Sequence, residues 1–160
     1  MLDTNQIIFL QTAMNHELNI CRKLFELLAD EQRQLETNQL EKVNQLLKEK
    51  KTLLDELEKM ANQRLSCFGI KVIHANHSHL FEQNISGNQE LSQQWRNLKM
   101  EMDKCHVQNE INGRIISLSR KSIERTMNTF RQSLRPNNTA TYSANGKAVL
   151  GSISIASAKA

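Results

Sequence analysis

Strong helix breakers are nearly missing from this chain of 160 residues. It has one proline and five glycines, and neither type occurs before Gly69. The first 68 residues therefore hold nothing that stops a helix outright. Aromatic residues make up 4% and hydrophobic residues 39%, too little for a thick core but enough for helices that bury narrow apolar seams. No run of about 18 apolar residues exists, so neither a membrane-spanning helix nor direct membrane insertion is expected. Met1 to Gln11 has no basic segment ahead of an apolar stretch, so no secretory signal is expected. Cys21, Cys67 and Cys105 are odd in number and widely spaced, and they read as small hydrophobes in a reducing compartment. On the same ground Asn84-Ile85-Ser86 and Asn137-Asn138-Thr139 are chance glycosylation matches.

Catalytic motifs are absent too. There is no Gly-rich phosphate loop, no G-x-S-x-G elbow and no H-E-x-x-H pair. His74, His77 and His79 fit no strong zinc spacing and read as part of an exposed polar loop, so neither a metal site nor a cofactor is expected. Cys105 and His106 are adjacent on a helical pattern and point about 100° apart, which rules out a catalytic pair. Asp55, Glu56 and Glu58 read as a solvated helix face. An enzyme is not expected.

What the chain does have is helical periodicity. From about Asp3 to Glu36, Ile7, Met14, Cys21, Leu28 and Leu35 recur every seven residues, with Leu18 and Phe25 at the alternate steps and Leu10, Leu24 and Leu27 widening the seam. Asp3 is placed to cap this helix, with Gln6 as its box partner. Asn38 followed by Glu41 signals a second start. The second helix, about 39–65, carries Val43, Leu46, Leu47, Leu53, Leu54, Leu57 and Met60, with Lys50 among them extending its charged end outward. So short a break predicts an antiparallel hairpin. Residues 66–87 show no clean period and read as a connector with one short helical turn near Leu80.

A third helix, about 88–134, runs from Leu91 through Trp95, Leu98, Met102, Cys105, Asn109, Asn112, Ile116, Ser119, Ile123, Thr126 and Phe130 in steps of three and four, until Arg135-Pro136 stops it. Asn109 and Asn112 occupy seam positions. They either set register as buried asparagines do in coiled coils, or mark where the helix leaves its partners. A second stripe of Val107, Ile111, Ile115 and Leu118 gives the later half more apolar surface than two partner helices need. The tail, 136–160, is rich in Ser, Ala, Thr and Asn and is expected to be flexible, with strand-like alternation from Val149 to Ile155. The fold class is therefore all-α: an elongated antiparallel hairpin plus a long third helix, a coiled-coil-like three-helix bundle forming one domain over 1–135.

Charge is unevenly placed. The chain carries +4 overall, with −2 over residues 1–66 and +4 over 89–135. Between Arg114 and Arg135 there are six basic residues and one acid, Glu124. Nucleic-acid binding is one reading of that stretch. The basic residues are not confined to one stripe, however, and only Phe130 offers a stacking platform, so no nucleic acid is expected.

Three elements together resemble a known family. They are Val43-x2-Leu46-x3-Lys50-x2-Leu53-Leu54-x2-Leu57; Trp95-x2-Leu98 with Asn109-x2-Asn112-Gly113-x-Ile115-Ile116; and, after Pro136, Thr141-Tyr142-Ser143-Ala144-Asn145-Gly146-Lys147. In order and spacing they resemble the FlgN family of flagellar export chaperones over residues 36–147. The resemblance implies a cytoplasmic, non-enzymatic chaperone. It would hold the C-terminal helical region of the hook–filament junction proteins FlgK and FlgL, prevent their premature assembly, and dock on the export gate protein FlhA. It assigns cargo to the second half of the third helix, with Ile116, Ile123, Met127, Phe130 and Leu134 as the seat and Ile111, Ile115 and Leu118 flanking it. Gate docking falls to Tyr142. The sequence pI of about 9.1 departs from the acidic character common among export chaperones. The competing reading of the surplus stripe is a structural coiled coil that forms a homodimer, which for a chaperone would be its cargo-free state.

Overall fold

The computed structural model describes residues 2–70, 77–133, 141–142 and 148–149. Four helices appear in chain order: α1 Thr4–Glu36, α2 Leu40–Ser66, α3 His77–Ile85 and α4 Gln89–Ser133. Among the described residues the fold is all-α apart from two dipeptide strands, β1 Thr141–Tyr142 and β2 Ala148–Val149. The chain divides into two units, Met1–Ser117 and Leu118–Ala160.

In the first unit each helix begins or ends where its local chemistry directs. Asp3 caps α1 by accepting from the Gln6 backbone N–H at 2.7 Å while Gln6 Oε1 accepts from the Asp3 backbone N–H at 3.1 Å, the reciprocal box expected. Asn38 does not cap α2 as its position suggested. It adopts a left-handed φ of 54° and closes α1 instead. The Gln39 N–H reaches back to the Gln34 carbonyl and the Asn38 N–H to the Leu35 carbonyl, the two bonds of a Schellman ending. The same pair of bonds recurs at Gly69, φ 64°, where Ile70 reaches Leu65 and Gly69 reaches Ser66. Asn88 caps α4, its side-chain oxygen accepting from the Leu91 N–H at 3.0 Å.

The hairpin of α1 and α2 is antiparallel, and two internal ion pairs define it. Arg64 donates to both carboxylate oxygens of Glu17, Nε at 2.7 Å and Nη2 at 3.3 Å, with both side chains almost fully buried. Lys50 Nζ donates to Glu31, whose side chain is 2% exposed, at 3.0 and 3.3 Å. The two acids are fourteen residues apart on α1, and the two bases are fourteen apart on α2. Lys50 therefore turns inward, contrary to the outward course expected of it. The buried line of α1 runs Leu10, Met14, Glu17, Cys21, Leu24, Leu28 and Glu31. It takes Glu17, Leu24 and Glu31 in place of Leu18 and Phe25, which are only half-buried. On α2 only Val43, Arg64 and Leu65 are buried, and Leu47 and Leu54 are left exposed.

Within the same unit α4 lies parallel to α1. Cys105 Sγ contacts the Cys21 carbonyl at 3.1 Å, and Asn112 Nδ2 donates to the Leu28 carbonyl at 2.8 Å. Both pairs are separated by 84 residues, one heptad apart on each helix. Leu91, Trp95 and Leu98 join Leu10, Met14 and Leu28 in one core.

Residues 66–87 hold more structure than one turn. Residues 71–76 lie outside the described residues, but α3 extends over nine and buries Phe81 and Ile85. The Phe81 ring meets Trp95 at 5.0 Å and Phe68 at 5.7 Å, both edge-on. The Arg64 guanidinium carbon lies 4.4 Å from the Phe81 ring centroid and 4.5 Å from that of Trp95, so its charge is held between a carboxylate and two aromatic faces. Glu82 accepts from Trp95 Nε1 at 2.9 Å and pairs with Lys99, tying α3 to α4. These two bonds, Lys99 first, hold the Glu82 carboxyl below its usual range.

In the second unit, residues 118–133 continue as helix, and β1 pairs with β2 antiparallel, Thr141 opposite Val149 and Tyr142 opposite Ala148. The rest of the tail expected to be flexible lies outside the described residues, and so does the strand-like alternation beyond Val149.

Because Glu17 and Arg64 are buried together, removing one partner strands the other. Glu17→Ala should lower stability in urea unfolding by about 3–5 kcal/mol, whereas Glu17→Leu combined with Arg64→Leu should recover most of that loss.

Candidate functional site

A polar cluster joins α1, α2 and α4 where the burial of α4 ends. Asn112, 1% exposed, donates from Nδ2 to the Leu28 carbonyl and, at 2.7 Å, to Glu31 Oε2. Its Oδ1 accepts from Gln108 Nε2 at 3.1 Å, and Gln108 also donates to Gln32 Oε1 at 2.6 Å. Lys50 Nζ, already on Glu31, donates to Asn109 Oδ1 at 2.7 Å. The two asparagines of the Asn-x-x-Asn element thus divide the hairpin between them: Asn109 reaches α2 and Asn112 reaches α1. Asn112 is a buried, fully partnered register residue, and Asn109 is exposed beside it.

Beyond Asn112 the pattern of exposure changes. Ile115 is half-buried, and every residue from Ile116 to Ser133 is exposed. Among the seat residues, Ile116, Ile123, Met127 and Phe130 are between 47% and 64% exposed. Leu134 lies outside the described residues. The helical advance of about 100° per residue puts Ile116, Ile123, Met127 and Phe130 on one face. The flanking residues do not all belong to that face. Ile111 and Ile115 lie about 100° and 60° round from Asn112, and Leu118 about 140° from Ile123. The seven described residues therefore form a main stripe and a second stripe that turns away from it. Sequence reasoning missed the buried acids Glu17 and Glu31. Their heptad-equivalent spacing, matched by Lys50 and Arg64 on the next helix, was the available signal.

Tyr142 is in β1, and Asn145-Gly146, the turn expected to present its ring, lies outside the described residues. His79, with His77, belongs to α3 and not to a loop; its Nε2 lies 3.1 Å from Gln83 Nε2. His74 is outside the described residues. Among the described residues no group of three His, Cys, Asp or Glu is arranged to hold a metal ion. No helix of the described residues is long and apolar enough to cross a membrane.

Cys21 and Cys105 are buried at the α1–α4 seam, and Cys67 is half-buried. Burial, then the neighbouring Cys105, pushes the Cys21 thiol up to about 12. Burial also raises Cys105 and Cys67. Neutral thiols of this kind pack as small hydrophobes and are poor nucleophiles.

Residues 1–149 match the family model described as FlgN protein. No curated protein and no solved structure matches the chain.

The Cys21 thiol stays protonated in the folded protein well above its ordinary value of 9.0, whereas the unfolded chain ionises there. Folding stability should therefore be unaffected by this group below pH 9 and fall as pH rises from 9 toward 12. Urea midpoints across that range should drop less steeply in Cys21→Ala than in the parent protein.

Proposed function

The chain belongs to the FlgN family, and from that premise we propose that it is a cytoplasmic chaperone whose α4 stripe holds the C-terminal helical region of FlgK and FlgL. FlgN proteins are flagellar export chaperones, not enzymes, and act on hook-associated proteins. One observation supports α4 as the seat: its apolar period continues past Asn112, the last buried position, through Ile116, Ile123, Met127 and Phe130, all exposed. An exposed stripe of this kind on a helix accepts the apolar face of another helix. Each such side chain contributes up to about 1.5–3 kcal/mol when taken from full exposure to full burial. Covering the cargo's own terminal helix keeps it from assembling before export. Leu134 is assigned to the same seat from the sequence, with Ile111, Ile115 and Leu118 flanking it. Delivery to FlhA is assigned to Tyr142, whose large apolar ring and single hydroxyl suit an anchor on a tail segment.

The double variant Ile123→Asp, Phe130→Asp should keep its helical circular dichroism, because neither side chain is buried. It should weaken binding of a FlgK or FlgL C-terminal fragment by more than about 2 kcal/mol. Normal binding by the folded variant would place the cargo elsewhere. Sedimentation velocity separates this reading from a homodimer, since a dimer that persists under saturating cargo would give the stripe to a second copy.

Tyr142→Ala should leave helicity and cargo binding unchanged. It should reduce affinity of the cargo-loaded chaperone for the cytosolic domain of FlhA by more than about 1 kcal/mol in a titration.

A further inference from the structure

The charge of the chain is divided at the boundary between its two units. Residues 1–117 carry fourteen basic and sixteen acidic groups, net −2, and residues 118–160 carry seven and one, net +6. On the exposed helical residues 118–133 the basic groups are Arg120, Lys121, Arg125 and Arg131, against Glu124 alone. Helix geometry sorts them into two groups. Arg120 and Arg131 lie about 20° and 40° round from Met127, along one edge of the apolar stripe, whereas Lys121 and Arg125 lie about 160° from Ile123 on the far side. The opposite edge of the stripe carries the uncharged Ser119, Thr126 and Ser133. Arg120 and Arg131 are eleven residues apart, about 16.5 Å along the axis and about 20° apart around it. Arg120 Nε is bonded to Glu124 Oε1 at 3.2 Å, an exposed pair of little strength. No Asp or Glu follows Glu124 in this sequence, so within the described helical residues 118–133 the stripe has one basic edge and a single carboxylate.

We infer that the occupant of this stripe is an acidic amphipathic helix, with carboxylates about three turns apart along the edge that meets Arg120 and Arg131. This deepens the cargo reading above and rests on it. Apolar contacts supply the affinity, and the one-sided basic edge fixes which way round the partner helix lies, because reversing its face would put its carboxylates against the uncharged edge. Glu124 competes with the partner for Arg120, so its neutralisation strengthens the complex.

The test is a titration of the full chain with the C-terminal fragments of FlgK and FlgL, at low and at about 0.5 M salt. Arg120→Gln with Arg131→Gln should weaken binding about tenfold at low salt and flatten the salt dependence, with helicity unchanged. Glu124→Gln should tighten binding. Lys121→Gln with Arg125→Gln, equal in charge removed but on the far side, should leave affinity within about twofold. Equal weakening by both double variants would mean that net charge alone steers the encounter, and would overturn the edge assignment. Loss of binding in Ile123→Asp together with no effect of Arg120→Gln, Arg131→Gln would overturn the acidic-edge inference and leave the cargo reading standing. Normal binding by Ile123→Asp would remove both. A dimer dissolved by Ile123→Asp in the absence of cargo, or salt-sensitive binding of a single-stranded RNA oligonucleotide that Arg120→Gln, Arg131→Gln abolishes, would give the surface to another occupant and likewise overturn the inference.

Discussion

Two internal ion pairs, one buried and one partly buried, fix the register of the α1–α2 hairpin, and the rest of the first unit is laid against that hairpin. Glu17–Arg64 and Glu31–Lys50 are spaced by two heptads on both helices, so a single antiparallel register satisfies both at once. Leucine seams alone tolerate a slip of one heptad, because apolar contacts are non-directional and one leucine replaces another. The paired charges do not. A slip by seven residues would bury two carboxylates without partners, at a cost of several kcal/mol each. Such pairs add little net stability over an apolar core, and what they supply here is a unique alignment.

That alignment has consequences at both ends of the hairpin. At one end Arg64, held by Glu17, offers its guanidinium to the rings of Phe81 and Trp95, and α3 is fastened over it with the help of Glu82. At the other end Glu31 is shared between Lys50 and Asn112, and Lys50 is shared with Asn109. One carboxylate thus couples all three long helices. The constant separation of 84 residues between Cys21 and Cys105, and between Leu28 and Asn112, shows α4 following α1 without a slip until that point. The apolar period of α4 then continues while its burial stops. That mismatch between pattern and burial is the observation on which the proposed cargo seat rests.

The helices were legible because long periodic segments carry a strong signal. The boundaries of α1 and α4 and the capping box at Asp3 follow from it directly. The shortcomings have physical causes. Asn38 suits both a helix start and a left-handed ending, and the backbone bonds around Thr37 decide between them. The helix α3 buries only Phe81 and Ile85, one i,i+4 pair, too little for a period to show. Charge usually marks a solvated face, so residue type alone places Glu17 and Glu31 outside and turns Lys50 outward. Periodicity puts Leu47 and Leu54 in the seam of α2, but α2 does not bury its whole seam. Of the residues singled out for binding, Ile116, Ile123, Met127 and Phe130 share a face by periodicity alone. That they are uncovered is a matter of burial, which periodicity does not report.

The sequence by itself determined three long helices, an antiparallel hairpin and membership of a chaperone family, because each follows from local chemistry or from a pattern of residue types along the chain. Tertiary structure decided which charged residues are internal, which way Lys50 points, how the two asparagines divide their partners, and where burial on α4 ends. Those outcomes depend on whether a complementary group from another helix arrives opposite a given side chain. The same leucine or glutamate is core or surface according to what faces it, and only the packed helices settle that.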